Sequence, residues 1–95
     1  MSVRHGESAL RDLAEILAYL DKQSPAGGRN VMRSIQRTVE SIAEYPERGA
    51  VVWETIRAAQ AGRYPFRIYW KVEGGEVTIV HIRHTARQAW RGGSQ

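Results

Sequence analysis

Three residues, Glu73-Gly74-Gly75, separate two β-rich runs, "GRYPFRIYWKV" (Gly62 to Val72) and "EVTIVHIRHT" (Glu76 to Thr85). A Gly-Gly loop takes positive φ at both central positions without steric cost, and its twist matches that of paired antiparallel strands. The two runs therefore read as a β-hairpin, and the turn sets its register. Val72 is expected opposite Val77, Trp70 opposite Ile79 and Ile68 opposite His81. Because side chains alternate, these pairs share a face with Tyr64 and Phe66. Arg63, Arg67, Tyr69, Lys71, Thr78, Val80, Ile82 and His84 are expected on the other face. A hairpin with so apolar a face needs other elements to cover it.

Those elements stand upstream. Leu10, Leu13, Ile16, Leu17 and Leu20 recur at helical spacing after Ser8, a candidate cap. Ser24 and Pro25 suit the cap and first position of a second helix, whose stripe is Val31, Ile35, Val39 and Ile42. Pro46 disfavours helix at Tyr45 and ends it. Two helices joined so tightly pack as an antiparallel hairpin. Val3 in "SVRH" can anchor a short strand, and "AVVWETIRAA" is β-rich around Val51 to Ile56. The expected fold class is α+β: a short N-terminal strand, then a helical hairpin packed on a small antiparallel sheet, in the order β-α-α-β-β-β. One domain is expected over 1–90, with a disordered tail over 91–95.

Composition narrows the function. The 95 residues suffice for one core. Cysteine is absent, so there is no disulfide framework and no thiolate nucleophile or metal ligand. No apolar run approaches the roughly 20 residues of a membrane helix, and "MSVRHGESAL" lacks a signal-peptide core. The expected compartment is the cytoplasm, with no membrane partner. Charge is unevenly placed. Residues 1–54 hold 7 Lys/Arg and 8 Asp/Glu, whereas residues 55–95 hold 7 Lys/Arg and only Glu73 and Glu76. A basic half attracts nucleic acid or an acidic protein segment. Cations beside Tyr69, Val80 and Ile82, on a sheet face that a single helical layer leaves uncovered, fit a partner segment. The other reading is that Val80 and Ile82 supply strand propensity and sit against the chain's own tail.

Three stretches carry a family resemblance: "ALRDLAEILAYL" (Ala9 to Leu20), "SIAEYPERG" (Ser41 to Gly49) and "GRYPFRIYWKVEGGEVTIVHIRHTARQAW" (Gly62 to Trp90). In this order they resemble the ParE/RelE superfamily of toxins from type II toxin–antitoxin systems. "GRYPFRI" and "IRHTARQAW" are closest to the ParE branch. The resemblance implies a toxin that binds and poisons DNA gyrase, is held by a cognate antitoxin in a hetero-oligomer, needs no cofactor and binds no specific nucleic-acid sequence by itself. RelE-type relatives instead cut mRNA on the ribosome, and a non-toxic antitoxin-binding remnant is a third alternative.

RNA cleavage by a 2′-hydroxyl needs a proton acceptor, a phosphate clamp and a proton donor. The RelE type supplies strand lysines, sheet arginines and usually a C-terminal tyrosine. Matched by position, Arg67 and Arg87 are retained. The strand instead reads "IRAAQAGRY", and Trp90 stands near the tyrosine's place. A ribonuclease would therefore need His84 beside Arg67 and Arg87, because arginines are clamps and not bases. His81 reads as a satisfied core-edge histidine, and Trp70 and Tyr64 as core residues. The expectation is a non-catalytic toxin with no metal site. Its antitoxin surface would comprise Arg67, Tyr69, Lys71, Val80, Ile82, His84 and Arg87. Its target surface would comprise Arg83, Arg87, Trp90 and Arg91.

Overall fold

The computed structural model describes residues 1–86. Its elements are β1 (Ser2–His5), α1 (Glu7–Gln23), α2 (Pro25–Glu44), β2 (Ala50–Trp53), β3 (Ile56–Gln60), β4 (Phe66–Glu73) and β5 (Glu76–His84). The strands form one sheet in the order β1-β5-β4-β3-β2. This is the expected α+β class, with two additions. First, β1 runs parallel to β5, so the sheet is mixed. Second, the stretch after the helices is two antiparallel strands, because the chain turns at Glu54 (φ 49°) and Ala50 pairs with Ala58.

Local chemistry explains the boundaries. Gly6, not Ser8, precedes α1 and offers no side-chain cap. Its N–H continues the β1–β5 ladder by donating to Ile79 O at 2.9 Å, so the chain leaves the sheet directly into the helix. Ser24 caps α2 as expected: its hydroxyl accepts from the Gly27 N–H at 3.2 Å, and Pro25 follows at the first helical position. At the hairpin turn Gly74 and Gly75 have φ of 57° and 74°, the paired positive values of a type I′ turn.

Ile16, Val31, Ile35, Val39 and Ile42 of the helices meet Phe66, Ile68, Trp70, Val77, Ile79 and Ile82 of the sheet in the main core. Each fully buried aliphatic there is worth about 1.5–3 kcal/mol against exposure. Trp70 is a core residue, and its indole N–H donates to Pro46 O at 2.8 Å. The α1 stripe is rotated from the expected one. Ala9, Asp12 and Ile16 are buried and Leu13 and Leu20 pack beside them, whereas Leu10 and Leu17 face solvent. The rotation turns Asp12 inward, onto the sheet edge.

Candidate functional site: the sheet face opposite the helices

The hairpin register holds from the turn to Trp70 and then slips. Val72 pairs with Val77 and Trp70 with Ile79, but Tyr69 pairs with His81 and Ile68 with Ile82. Val80 is the extra residue of a β-bulge. A one-residue slip exchanges the faces of everything beyond it. Two site expectations change in consequence. Ile82 lies beneath the helices in the main core at 0% exposure, not on the open face. His84 pairs with Phe66 and stands edge-on to its ring, at a centroid distance of 5.4 Å and an interplanar angle of 88°. Its Nδ1 accepts the Ala86 N–H at 3.1 Å. Arg83, not Ile82, is therefore the β5 residue opposite Arg67, and His84 no longer shares the face of Arg67.

The face itself is only partly open. Arg67 is exposed, Lys71 and Val80 are half-buried, and Lys71 Nζ lies 3.2 Å from Glu73 Oε1. Tyr69 is 1% exposed and packs with Ile56, Ala58 and Val80 in a second, smaller apolar cluster. It supports the face from within, which corrects its expected place at the surface. Beside this face, β2 forms the sheet edge with all four of its residues exposed.

Sequence reasoning missed Asp12, which closes the other end of the face. Beyond Ile79, β1 no longer pairs with β5, and α1 takes over. The buried Asp12 carboxylate accepts the Ile82 N–H through Oδ2 at 2.9 Å. His81 Nδ1 lies 3.1 Å from the same oxygen and Arg83 Nε 3.5 Å from it. One helix carboxylate thus replaces a ladder partner and gathers the two side chains flanking Ile82. Arg83 also places a terminal nitrogen 3.2 Å from His81 Nδ1. The two contacts at Nδ1 exclude each other as hydrogen bonds: a ring N–H that donates to a carboxylate has no lone pair left for Arg83. We place the proton on Nδ1, because a carboxylate can only accept. Arg83 Nε, buried and without an aligned hydrogen bond, is held by charge.

His81 is therefore a satisfied histidine, as expected, although its pairing partner is Tyr69. Arg83, expected on the target surface, is turned in toward Asp12, with its side chain 19% exposed. The signal for Asp12 was its phase: it falls three residues after Ala9 and four before Ile16, on the buried side of α1. Arg87, Trp90 and Arg91, and the tail expected over 91–95, lie outside the described residues. No group of three or more His, Cys, Asp or Glu among the described residues could hold a metal ion. None of the described helices is long and apolar enough to cross a membrane.

Fold and face together define a small basic α+β domain with cations at the rim of a partly open sheet. His81 is buried against Asp12, and His84 stands edge-on to Phe66. The model of the ParE toxin of type II toxin–antitoxin systems, parDE, matches residues 3–89. The protein named Toxin RelE2 of Caulobacter vibrioides is 38% identical over 79 residues, covering 83% of this chain and 89% of that protein. A solved structure described as the chromosomal ParDE TA system from P. aeruginosa superposes with a TM-score of 0.76 at 24% identity, covering 88% of this chain and 95% of that one, and shows the same fold. The chain belongs to the ParE toxin family of type II toxin–antitoxin systems.

Proposed function

We propose that this toxin acts by binding and poisoning DNA gyrase, without catalysing a reaction itself, and that a cognate antitoxin neutralises it. The observation that carries the non-catalytic reading is the position of His84. A ribonuclease built from this chain would need His84 beside Arg67. The bulge at Val80 puts the two on opposite faces of the sheet, with the imidazole packed against Phe66. His81 is buried against Asp12 and would have to leave it to meet a 2′-hydroxyl.

The antitoxin surface follows from the corrected face. Arg67 and Lys71 supply the cations and Val80 the apolar contact, over the support of Tyr69. An acidic, apolar segment laid there would gain charge-assisted hydrogen bonds from Arg67 while covering Val80. Arg87 belongs with Arg67 in this role, and Trp90 and Arg91 form the target surface with Arg87. The name of the Caulobacter relative keeps ribosomal mRNA cleavage as the reading to test against.

The deciding experiment uses the purified free protein in two parallel assays, gyrase supercoiling and cleavage of mRNA on programmed ribosomes. Inhibited supercoiling with intact mRNA is expected. Discrete mRNA cuts with normal supercoiling would reverse the assignment. Inactivity in both assays would mark a remnant that only binds its antitoxin.

A further inference from the structure

On the helical side of the molecule a cleft of about 350 Å³ opens between α2 and the loop joining β3 to β4, lined by Asn30, Arg33, Ser34, Arg37, Arg63 and Tyr64. We propose that it binds the phosphodiester backbone of a single-stranded nucleic acid, without regard to sequence. The proposal is independent of the gyrase reading. It concerns the side of the sheet away from Arg67.

The first support is unneutralised charge. Arg29, Arg33 and Arg37 follow one another at four-residue spacing on the exposed side of α2, and no acidic residue stands between Asp21 and Glu40. On a helix a carboxylate three or four residues away can pair with such a cation. Of the three only Arg37 has one so spaced, Glu40, and no ion pair between them is among those formed by the described residues. Here Arg63, from outside the helix, adds a further cation to the row. Among the described residues, the ion pairs involve Arg4, Arg11, Lys71, His81 and Arg83 and none of these four arginines.

The second support is that the cleft is built. The Ser34 hydroxyl donates to Ala61 O at 3.1 Å and pins the loop to α2. Gly62 follows at φ 60°, and a Cβ there would stand 2.6 Å from Ser34 Oγ. Only glycine both takes this left-handed conformation cheaply and lets the loop sit this close. The approach holds Arg63 beside the α2 row. Arg63 places its guanidinium 5.5 Å from the centre of the Tyr64 ring. Tyr64 is half-buried and so presents a steadied ring on which a base can stack.

The third support concerns the ligand. Neighbours four apart on a helix stand about 5–6 Å apart at Cβ, so the arginine row presents a repeated cation to a repeated anion. An acidic protein segment would bring apolar side chains needing an apolar counterpart, and no aliphatic side chain lines this cleft. A strand of phosphates, with one base on Tyr64, needs none. Arginine forks match phosphate oxygens in pairs.

The test is fluorescence anisotropy of the full chain with a labelled oligothymidylate of about 12 nucleotides, titrated across a range of salt. Three to four phosphate contacts predict a log–log salt slope of about −2 to −3. The variant Arg33→Ala/Arg37→Ala/Arg63→Ala alters exposed side chains, so its urea midpoint should match the parent. Its slope should shrink by about 2. Tyr64→Leu should weaken binding about fivefold or more and leave the slope alone. Arg4→Ala, which removes a cation elsewhere, should change neither. An unchanged slope in the triple variant would overturn the proposal. So would a polyglutamate peptide that binds as tightly, making the cleft a peptide site, or tighter binding of the matching duplex.

Discussion

Replacing Asp12 by Ala should destabilise the fold far more than a helix-surface carboxylate would. Three groups converge on its Oδ2: the Ile82 N–H at 2.9 Å, His81 Nδ1 at 3.1 Å and Arg83 Nε at 3.5 Å. The Asp12 and Arg83 side chains are only 7% and 19% exposed, so water cannot readily take over their partnerships. Orphaning the buried Ile82 N–H costs about 1–3 kcal/mol. Stranding a largely buried guanidinium raises the sum to about 3–5 kcal/mol. For a domain of this size each kcal/mol lowers Tm by about 4–8 °C, so Asp12→Ala should melt at least ~12 °C below the parent. Asp12→Asn keeps an acceptor for Ile82 but loses the charge, and should cost about 1–2 kcal/mol. Thermal unfolding followed by circular dichroism measures both, with exposed Glu15→Ala as the control. A double-mutant cycle with Arg83→Ala should return a coupling above about 0.5 kcal/mol. If Asp12→Ala melted with the Glu15 control, the carboxylate would not be the clasp between α1 and β5.

Other outcomes follow from the bulge and the loops. Ile82→Ala should cost about 2–5 kcal/mol in urea unfolding, because it opens a hole in the main core. Val80→Ala, at a half-buried position, should cost clearly less; equal costs would mean the register does not slip at Val80. Gly62→Ala should lose about 1–3 kcal/mol, from left-handed strain and the close approach to Ser34, and no loss would show that the loop relaxes freely. Arg67→Ala combined with Lys71→Ala should weaken antitoxin binding tenfold or more by calorimetry while leaving Tm within a few degrees. Unaltered affinity would move the antitoxin to another surface.

Helices and hairpin were legible because each carries a local mechanism. Ser24 and Pro25 start α2, Pro46 follows its end, and two glycines close a type I′ turn. What escaped was long-range. No local residue type marks Val80 as a bulge, since valine suits a regular strand equally well. Alternation was therefore carried past the bulge to the end of β5, and Ile82 and His84 were put on the wrong face. The parallel pairing of β1 depends on a contact between Val3 and Val77, which no local pattern encodes. Charged residues are seldom buried, so nothing in the residue type of Asp12 points inward. Its phase with Ala9 and Ile16 was the available clue. The arginine row of α2 was hidden by averaging, since the acids of α1 cancel it in any count over the first half of the chain.

The central claim, a toxin that traps gyrase without chemistry of its own, is tested most directly by counting gyrase–DNA cleavage complexes formed with the purified wild-type protein and with His84→Ala. Equal accumulation of broken DNA with both proteins is the predicted result. No cleavage complexes with the wild type, together with ribosomal mRNA cutting that His84→Ala abolishes, would contradict it.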